Sequence, residues 1–247
     1  MQAIPLYLSF AFGLVTLLSV ALFYKASNYS KTTLLLVTGW LLLQALLGRS
    51  NFYTNTASVP PRLLFALLPP LLFIAVLFST PGGRKYLDRL NLKTLVLIHF
   101  IRVPVELVLF GLFVYKAVPK IMTFEGHNFD VLSGLSAPLV YYFGFMKKRI
   151  GRTGLLFWNF ACLALLINIV GTAVLSAPFP FQKFGFDQPN IAILYFPFVW
   201  LPACVVPLVL LSHLASIRQL ILKKKTNVNY IDAKSETVQL PAMPVHG

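Results

Sequence analysis

Residues 94–115 read TLVLIHFIRVPVELVLFGLFVY, and this stretch decides the fold class. Its length matches the roughly 20 apolar residues that a helix needs to cross a bilayer core about 30 Å thick. A segment in hydrocarbon must be helical, because lipid offers no partner for backbone N–H and C=O groups. The stretch therefore predicts a transmembrane helix that carries three ionisable side chains, His99, Arg102 and Glu106.

The composition extends this prediction to the whole chain of 247 residues. Hydrophobic residues make up 57% and charged residues 11%, whereas a soluble domain carries about 25% charged residues. So few charges cannot cover a water-facing surface. We predict an all-α, polytopic membrane protein of seven transmembrane helices, at Ile4–Tyr24, Thr32–Gly48, Leu63–Thr80, Thr94–Tyr115, Phe129–Met146, Gly154–Ala177 and Ile191–Ile217.

The basic residues predict the orientation of this bundle. The net charge of +14 comes from short clusters between apolar runs, which is the pattern of a membrane protein and not of a nucleic-acid-binding one. The predicted outer connections hold only Arg49, Arg62, Lys116, Lys120 and Lys183. The inner connections hold most of the others, so we predict an outer N-terminus and an inner C-terminus.

The polar composition after residue 222 divides the chain into a seven-helix domain, residues 1–222, and a flexible cytosolic tail, residues 223–247. No basic residue precedes the first apolar run and Lys25 follows it, which argues against a cleaved signal peptide. Short basic loops favour the cytoplasmic membrane of a bacterium as the location. We expect the lipid bilayer as a partner and no nucleic acid.

The ionisable residues of the fourth span form the first candidate site. At about 100° per residue, His99, Arg102 and Glu106 share one stripe of the helix, and Arg102 and Glu106 can meet one turn apart. Each charge at the bilayer centre costs about 2.5–3.5 kcal/mol, so the stripe should face the bundle interior. Either this stripe binds a small molecule, an ion or a proton, or it is a structural ion pair.

A second polar cluster precedes the fifth span and includes Glu125, His127 and Asp130. Carboxylate and imidazole groups can contact a ligand or a divalent cation. Asn128 and Asp130 are also natural N-caps for the helix that follows. The cluster is therefore either the mouth of a pocket or a capped, solvated loop.

Further polar or amphipathic side chains lie inside other predicted spans, namely Trp40, Gln44, Asn159 and Trp200. They could line a cavity, although hydrogen bonds between helices explain such residues as well. His99 and His213 lie toward the inner side of different spans, where a histidine pair can hold haem. The cofactor stays unknown from sequence.

We predict from these features a small-molecule- or ion-binding membrane protein, transporter-like or sensor-like. Its polar cavity should open outward, with Arg102 and Glu106 as the floor and Glu125, His127 and Asp130 around the mouth. One alternative is an intramembrane enzyme that uses a metal or acid/base chemistry at Glu106, His127 and Asp130. Another is a structural subunit of a membrane complex.

Overall fold

The structure is a computed structural model that describes residues 4–126 and 128–236, with side chains up to Leu222. Within these residues the chain is helical and contains no β-strand. The helices are α1 (Leu6–Ala26), α2 (Lys31–Arg49), α3 (Leu64–Ser79), α4 (Pro81–Arg89), α5 (Leu92–Ile98), α6 (Arg102–Val114), α7 (Val131–Tyr141), α8 (Arg152–Leu175) and α9 (Val206–Glu236).

Five segments of the described chain are long and apolar enough to cross a membrane. They are α1, α2, α8, the pair α5 and α6 as Leu92–Val114, and Leu201–Leu222. A sixth span results if α3 and α4, which meet at a bend of 95°, are counted together. The remaining apolar helix, Val131–Met146, is shorter. The structure therefore confirms an all-helical protein with five or six helices that could cross a membrane by their length and composition, and the prediction of seven spans stays a prediction.

The break between α5 and α6 has a local cause. Pro104 lacks an N–H and its ring crowds the carbonyl of Phe100 four residues earlier. The chain accommodates it with one 3₁₀ turn, His99–Ile101, between the two helices. The turn joins α5 and α6 into the single apolar segment Leu92–Val114.

Several predicted boundaries differ from the observed ones. The third span ends at Ser79, where Thr80 caps α4 by accepting a hydrogen bond from the Gly83 N–H. The last span was predicted to begin at Ile191, but continuous helix begins at Leu201, after a 3₁₀ turn over Ala192–Leu194. Pro197 and Pro202 lie in this region, and proline disrupts regular helix.

The segment between α6 and α7 folds back into the bundle. The backbone N–H of Phe124 donates to Glu106 at 2.6 Å, and Asp130 lies against Arg102 at 2.8 Å. Arg102 is near the middle of Leu92–Val114. Because α7 starts at this depth, it needs fewer residues than a full span to return to the other end.

The connections predicted to lie inside share one end of the bundle. The Asn28 side chain, between α1 and α2, donates to the Arg89 carbonyl at 2.8 Å. Arg218 of α9 forms an ion pair with Asp88 of α4 at 2.8 Å. Arg152, at the start of α8, donates to the Leu220 carbonyl at 2.5 Å. The basic connections therefore cluster in space, as an orientation signal requires.

The start of α7 packs closely on the junction of α5 and α6. A Cβ at Gly134 would lie 2.8 Å from Val103 Cγ2 and 3.2 Å from Arg102 Cβ. Only glycine allows the backbones to approach this closely, as is common between membrane helices. This contact fixes the position of Asp130 relative to Arg102.

Replacing Gly134 with alanine should destabilise the protein by about 1–3 kcal/mol, because the added methyl group overpacks the contact with Val103. Gly171 of α8 is the matched control, since a Cβ there meets nothing within 4 Å. Gly171→Ala should be neutral or slightly stabilising. Unfolding in detergent by heat or by a denaturing detergent measures both variants, and equal effects would contradict the packing argument.

Candidate functional site

Five buried polar side chains meet in the middle of the bundle, and we call them the central polar cluster. They come from five elements: the 3₁₀ turn, α6, the start of α7, α8 and α9. Each is at most 8% exposed. The members are His99, Arg102, Asp130, Asn159 and His213.

Arg102 is the hub of this cluster. Its Nη1 donates to Asp130 Oδ1 at 2.8 Å and to the Cys162 carbonyl at 3.3 Å. Its Nη2 donates to His213 Nε2 at 3.0 Å. The ion partner of Arg102 is therefore Asp130 and not Glu106, which lies one turn further along the same helix. Asp130 ends the segment between α6 and α7 that folds back into the bundle, which we call the re-entrant segment.

The contacts of His213 define its tautomer. An arginine can only donate hydrogen bonds, so Nε2 of His213 accepts and carries no proton. The proton lies on Nδ1, which donates to Asn159 Oδ1 at 3.0 Å. Asn159 in turn donates to the Leu155 carbonyl of its own helix at 2.8 Å. This row of hydrogen bonds holds His213 neutral, because a second proton on its ring would face the guanidinium of Arg102.

His99 packs against these hydrogen-bonded side chains but forms no hydrogen bond with them. Its ring stacks on His213 with centroids 3.7 Å apart and planes 14° from parallel, and its other neighbour is Trp158 at 5.5 Å. Neither ring nitrogen of His99 has a hydrogen-bond partner within the described residues. Two stacked rings cannot bind one haem iron from opposite faces, so the haem hypothesis fails in this arrangement.

Glu106 lies next to the central polar cluster and has separate partners. Its Oε1 accepts from the Phe124 N–H at 2.6 Å, and its Oε2 accepts from the Asn128 side-chain amide. Both partners are neutral donors. Among the described residues no cation forms an ion pair with Glu106, so its charge is stabilised by dipoles alone.

A cavity of about 80 Å³ touches both groups. Its polar wall consists of Arg102, Glu106, Asn128 and Asp130, and the rest is apolar. A buried water needs about 10–15 Å³ of such volume, whereas drug-sized ligands occupy pockets of about 300–1,000 Å³. The cavity therefore has room for several waters or a small ion, not for a large ligand.

Of the two predicted mouth residues that the structure describes, Asp130 lines this cavity and Glu125 does not. Glu125 is at the surface and pairs with Lys120 at 3.7 Å. His127 lies outside the described residues. Asp130 does not cap α7 through its side chain, since its carboxylate is bound to Arg102. Asn128 accepts from the Asp130 N–H at 3.0 Å, so it supports the turn before α7.

Trp40 and Trp200 lie away from the cavity wall and link α2 to the last span. Trp40 Nε1 donates to the Ala203 carbonyl at 2.8 Å, and Trp200 Nε1 donates to the Leu41 carbonyl at 2.9 Å. The Ala203 carbonyl lacks its usual partner four residues later, because Pro207 has no N–H. These two side chains therefore act as interhelical hydrogen-bond donors.

Gln44 is buried near the C-terminal end of α2. Its Oε1 accepts from the Tyr53 hydroxyl at 2.5 Å. Burial raises the pKa of Tyr53 to about 12, so this hydroxyl remains a donor across the physiological pH range. Gln44 thus belongs to the α2–α3 connection and not to the central polar cluster.

Sequence analysis alone did not single out three of the contributing groups. His213 was considered only for haem, Asn128 only as a cap, and Trp158 not at all. His213 carried a usable signal, since a histidine in the middle of a membrane span is expensive and usually functional. Trp158 carried none, because tryptophan in a span is ordinary.

The chain matches a protein family described as Domain of unknown function (DUF8737) over residues 60–221. The match covers more than half of the chain, and the protein therefore belongs to this family. All members of the central polar cluster and Glu106 fall within the matched residues. No curated protein and no solved structure matches the chain.

Replacing Asp130 with alanine should lower the free energy of unfolding by about 3–5 kcal/mol, because it leaves the buried Arg102 charge uncompensated. Asp88→Ala is the matched control. It breaks the Arg218 pair, whose side chains are 23% and 38% exposed, and should cost about 0–1 kcal/mol. Denaturing-detergent titration compares the two, and similar losses would show that burial of the Arg102 pair is not decisive.

Proposed function

We propose that this member of the DUF8737 family is a transporter-like or sensor-like membrane protein whose central cavity binds a small cation or a proton at Glu106. The binding group is the Glu106 carboxylate. Arg102 and Asp130 neutralise each other in an ion pair beside this carboxylate and line the floor of the cavity. Asn128 and the Phe124 N–H orient the carboxylate.

The charge balance of the cavity wall carries this proposal. Arg102 and Asp130 cancel each other in a 2.8 Å pair, and His213 is neutral. Glu106 adds one negative charge that no described cation compensates. An uncompensated buried charge is costly, so a guest with positive charge is favoured and an anion is disfavoured.

The dimensions of the cavity support a small guest. About 80 Å³ accommodates an ion with a few waters but no organic ligand of ordinary size. The apolar remainder of the wall limits access of bulk water, which strengthens electrostatic interactions inside. A larger substrate would require the helices to separate. We therefore propose the ion as the primary ligand and any larger molecule as secondary.

The intramembrane enzyme hypothesis has less support. Within residues 4–126 and 128–236 no group of three or more His, Cys, Asp or Glu side chains is arranged to hold a metal ion. Of the predicted acid and base residues, Glu106 and Asp130 both line the cavity, but Asp130 is bound to Arg102 and His127 lies outside the described residues. The charge pattern favours binding over hydrolytic chemistry.

The proposal includes seven membrane passages with the N-terminus outside, in a bacterial cytoplasmic membrane. The basic connections at one end of the bundle support this orientation. The short helix Val131–Met146 would complete the seventh passage, together with the re-entrant segment. The cavity would then be closer to the outer surface than the cluster of His99 and His213.

The cation proposal predicts that a monovalent cation raises the unfolding temperature of the purified protein. A ligand that binds only the folded state stabilises it by about 2.7 kcal/mol at one hundred times its dissociation constant. Sodium, potassium and lithium chloride should be titrated against choline chloride at constant ionic strength. Glu106→Gln should remove the difference between the salts, and Glu125→Gln, an exposed carboxylate, should retain it.

The same variants distinguish proton from cation binding and from a structural role. If protons compete at Glu106, lowering the pH weakens the cation effect in the wild type and in Glu125→Gln. If only protons bind, stability depends on pH and not on the salt, and Glu106→Gln loses that dependence. Retention of every wild-type dependence in a merely destabilised Glu106→Gln protein would refute the proposal and leave a structural subunit.

The orientation is tested by cysteine labelling, since Cys162 and Cys204 are both buried. Ala57→Cys lies in the α2–α3 connection and Gly82→Cys lies in exposed α4. A membrane-impermeant maleimide should label Ala57→Cys in intact cells and Gly82→Cys only after lysis. The reverse pattern would invert the predicted orientation.

A further inference from the structure

A second cavity, larger than the central one, lies between α2 and α3 and is separate from the central polar cluster. Its volume is about 440 Å³, within the range of ligand pockets. Leu36, Val37 and Trp40 of α2 form one wall, and Pro69, Pro70 and Phe73 of α3 form the other. The back wall belongs to the last span, from Ala203 to Leu211. We call this cavity the lateral groove.

The lateral groove is apolar except at one end. There it is lined by Ser30, Thr32, Thr33 and Tyr86. The hydroxyls of Thr33 and Tyr86 are 3.0 Å apart and join α2 to α4. This end coincides with the basic end of the bundle, since α4 also carries the Asp88 pair to Arg218. The groove is thus amphipathic along its length.

Hydrogen bonds fix the position of α2, which forms one wall of the groove. The Thr33–Tyr86 contact ties the first turn of α2 to α4, and Trp40 ties its middle to Ala203. Pro69 and Pro70 present rigid rings from α3, which a change of rotamer cannot swing into the space. An apolar cavity of this size between tethered helices needs an apolar occupant, because it offers water few partners.

Basic side chains flank the polar end. Lys31 begins α2, and Arg84 and Lys85 lie in α4 immediately before Tyr86. All three are exposed, and none forms an ion pair within the described part of the chain. Basic residues next to a membrane helix attract anionic lipid headgroups. The charge at this end therefore complements an anion attached to a hydrocarbon chain.

We infer that the lateral groove is a binding site for an anionic phospholipid. One acyl chain lies between α2 and α3 against the last span. The phosphate lies at Thr33 and Tyr86, where hydroxyls donate hydrogen bonds, and Lys31, Arg84 and Lys85 neutralise it. A zwitterionic phospholipid fits the apolar part equally well but gains less at the basic end.

Nanodiscs of phosphatidylcholine with a minor fraction of phosphatidylglycerol provide the test. The full-length protein is released from the nanodiscs in the mass spectrometer, and native mass spectrometry counts the lipid molecules that stay bound to it. Arg84→Gln/Lys85→Gln should lower the preference for phosphatidylglycerol by at least about fivefold, since each basic residue contributes about this factor. Lys147→Gln/Lys148→Gln is the control with the same charge change in another basic connection, and it should keep the preference.

A second measurement locates the lipid. Phosphatidylglycerol with brominated acyl chains should quench the part of the fluorescence that Trp40→Phe removes, because Trp40 lines the groove. Quenching that is equal for brominated phosphatidylcholine, or preference that both double variants lower alike, would overturn the inference in favour of nonspecific lipid contact. A dimer whose Trp40 is inaccessible to brominated lipid would overturn it in favour of a second copy of the chain.

Discussion

The ion pair between Arg102 and Asp130 is the constraint on which the interior depends. Two charges in the middle of a membrane bundle are tolerated only when they meet with good geometry and their remaining hydrogen-bonding groups are satisfied. Asp130 reaches Arg102 because the chain after α6 turns back into the bundle, and Gly134 lets α7 approach closely enough. The re-entrant segment, the short α7 and the position of Glu106 beside Phe124 all follow from this pairing.

The neutral partners of Arg102 make the cluster sensitive to added charge. His213 accepts a hydrogen bond from Arg102 and stacks on His99, so a proton on either ring would face a cation at short range. Burial away from water and the nearby guanidinium both disfavour a positive charge on either ring, while Asp130 balances Arg102 itself. Glu106 is then the one described carboxylate of the cavity wall whose charge lacks a counterpart. In the proposed function, selectivity for positive charge would follow from this arrangement of neighbours and not from the carboxylate alone.

The sequence predicted the class of fold because apolar length is a direct physical requirement of the bilayer. The bounds of α2, Lys31–Arg49, differ from the prediction by one residue at each end, since basic residues mark them. The partner of Arg102 was not predictable, because Asp130 is 28 residues away and the intervening segment shows no periodicity. The start of the last span was missed for a related reason. Apolar composition continues from Ile191, but the chain around Pro197 is not regular helix, and continuous helix begins only at Leu201.

The last span separates the two cavities and contributes a wall to each. Its first turn, Leu201–Val205, is a π-helix, a local irregularity that is frequent at functional sites. Leu201 and Val205 face the central cavity, whereas Ala203 and Cys204 face the lateral groove. The turn that bounds the cavity beside Glu106 thus also lines the lateral groove, where Trp40 Nε1 donates to the Ala203 carbonyl.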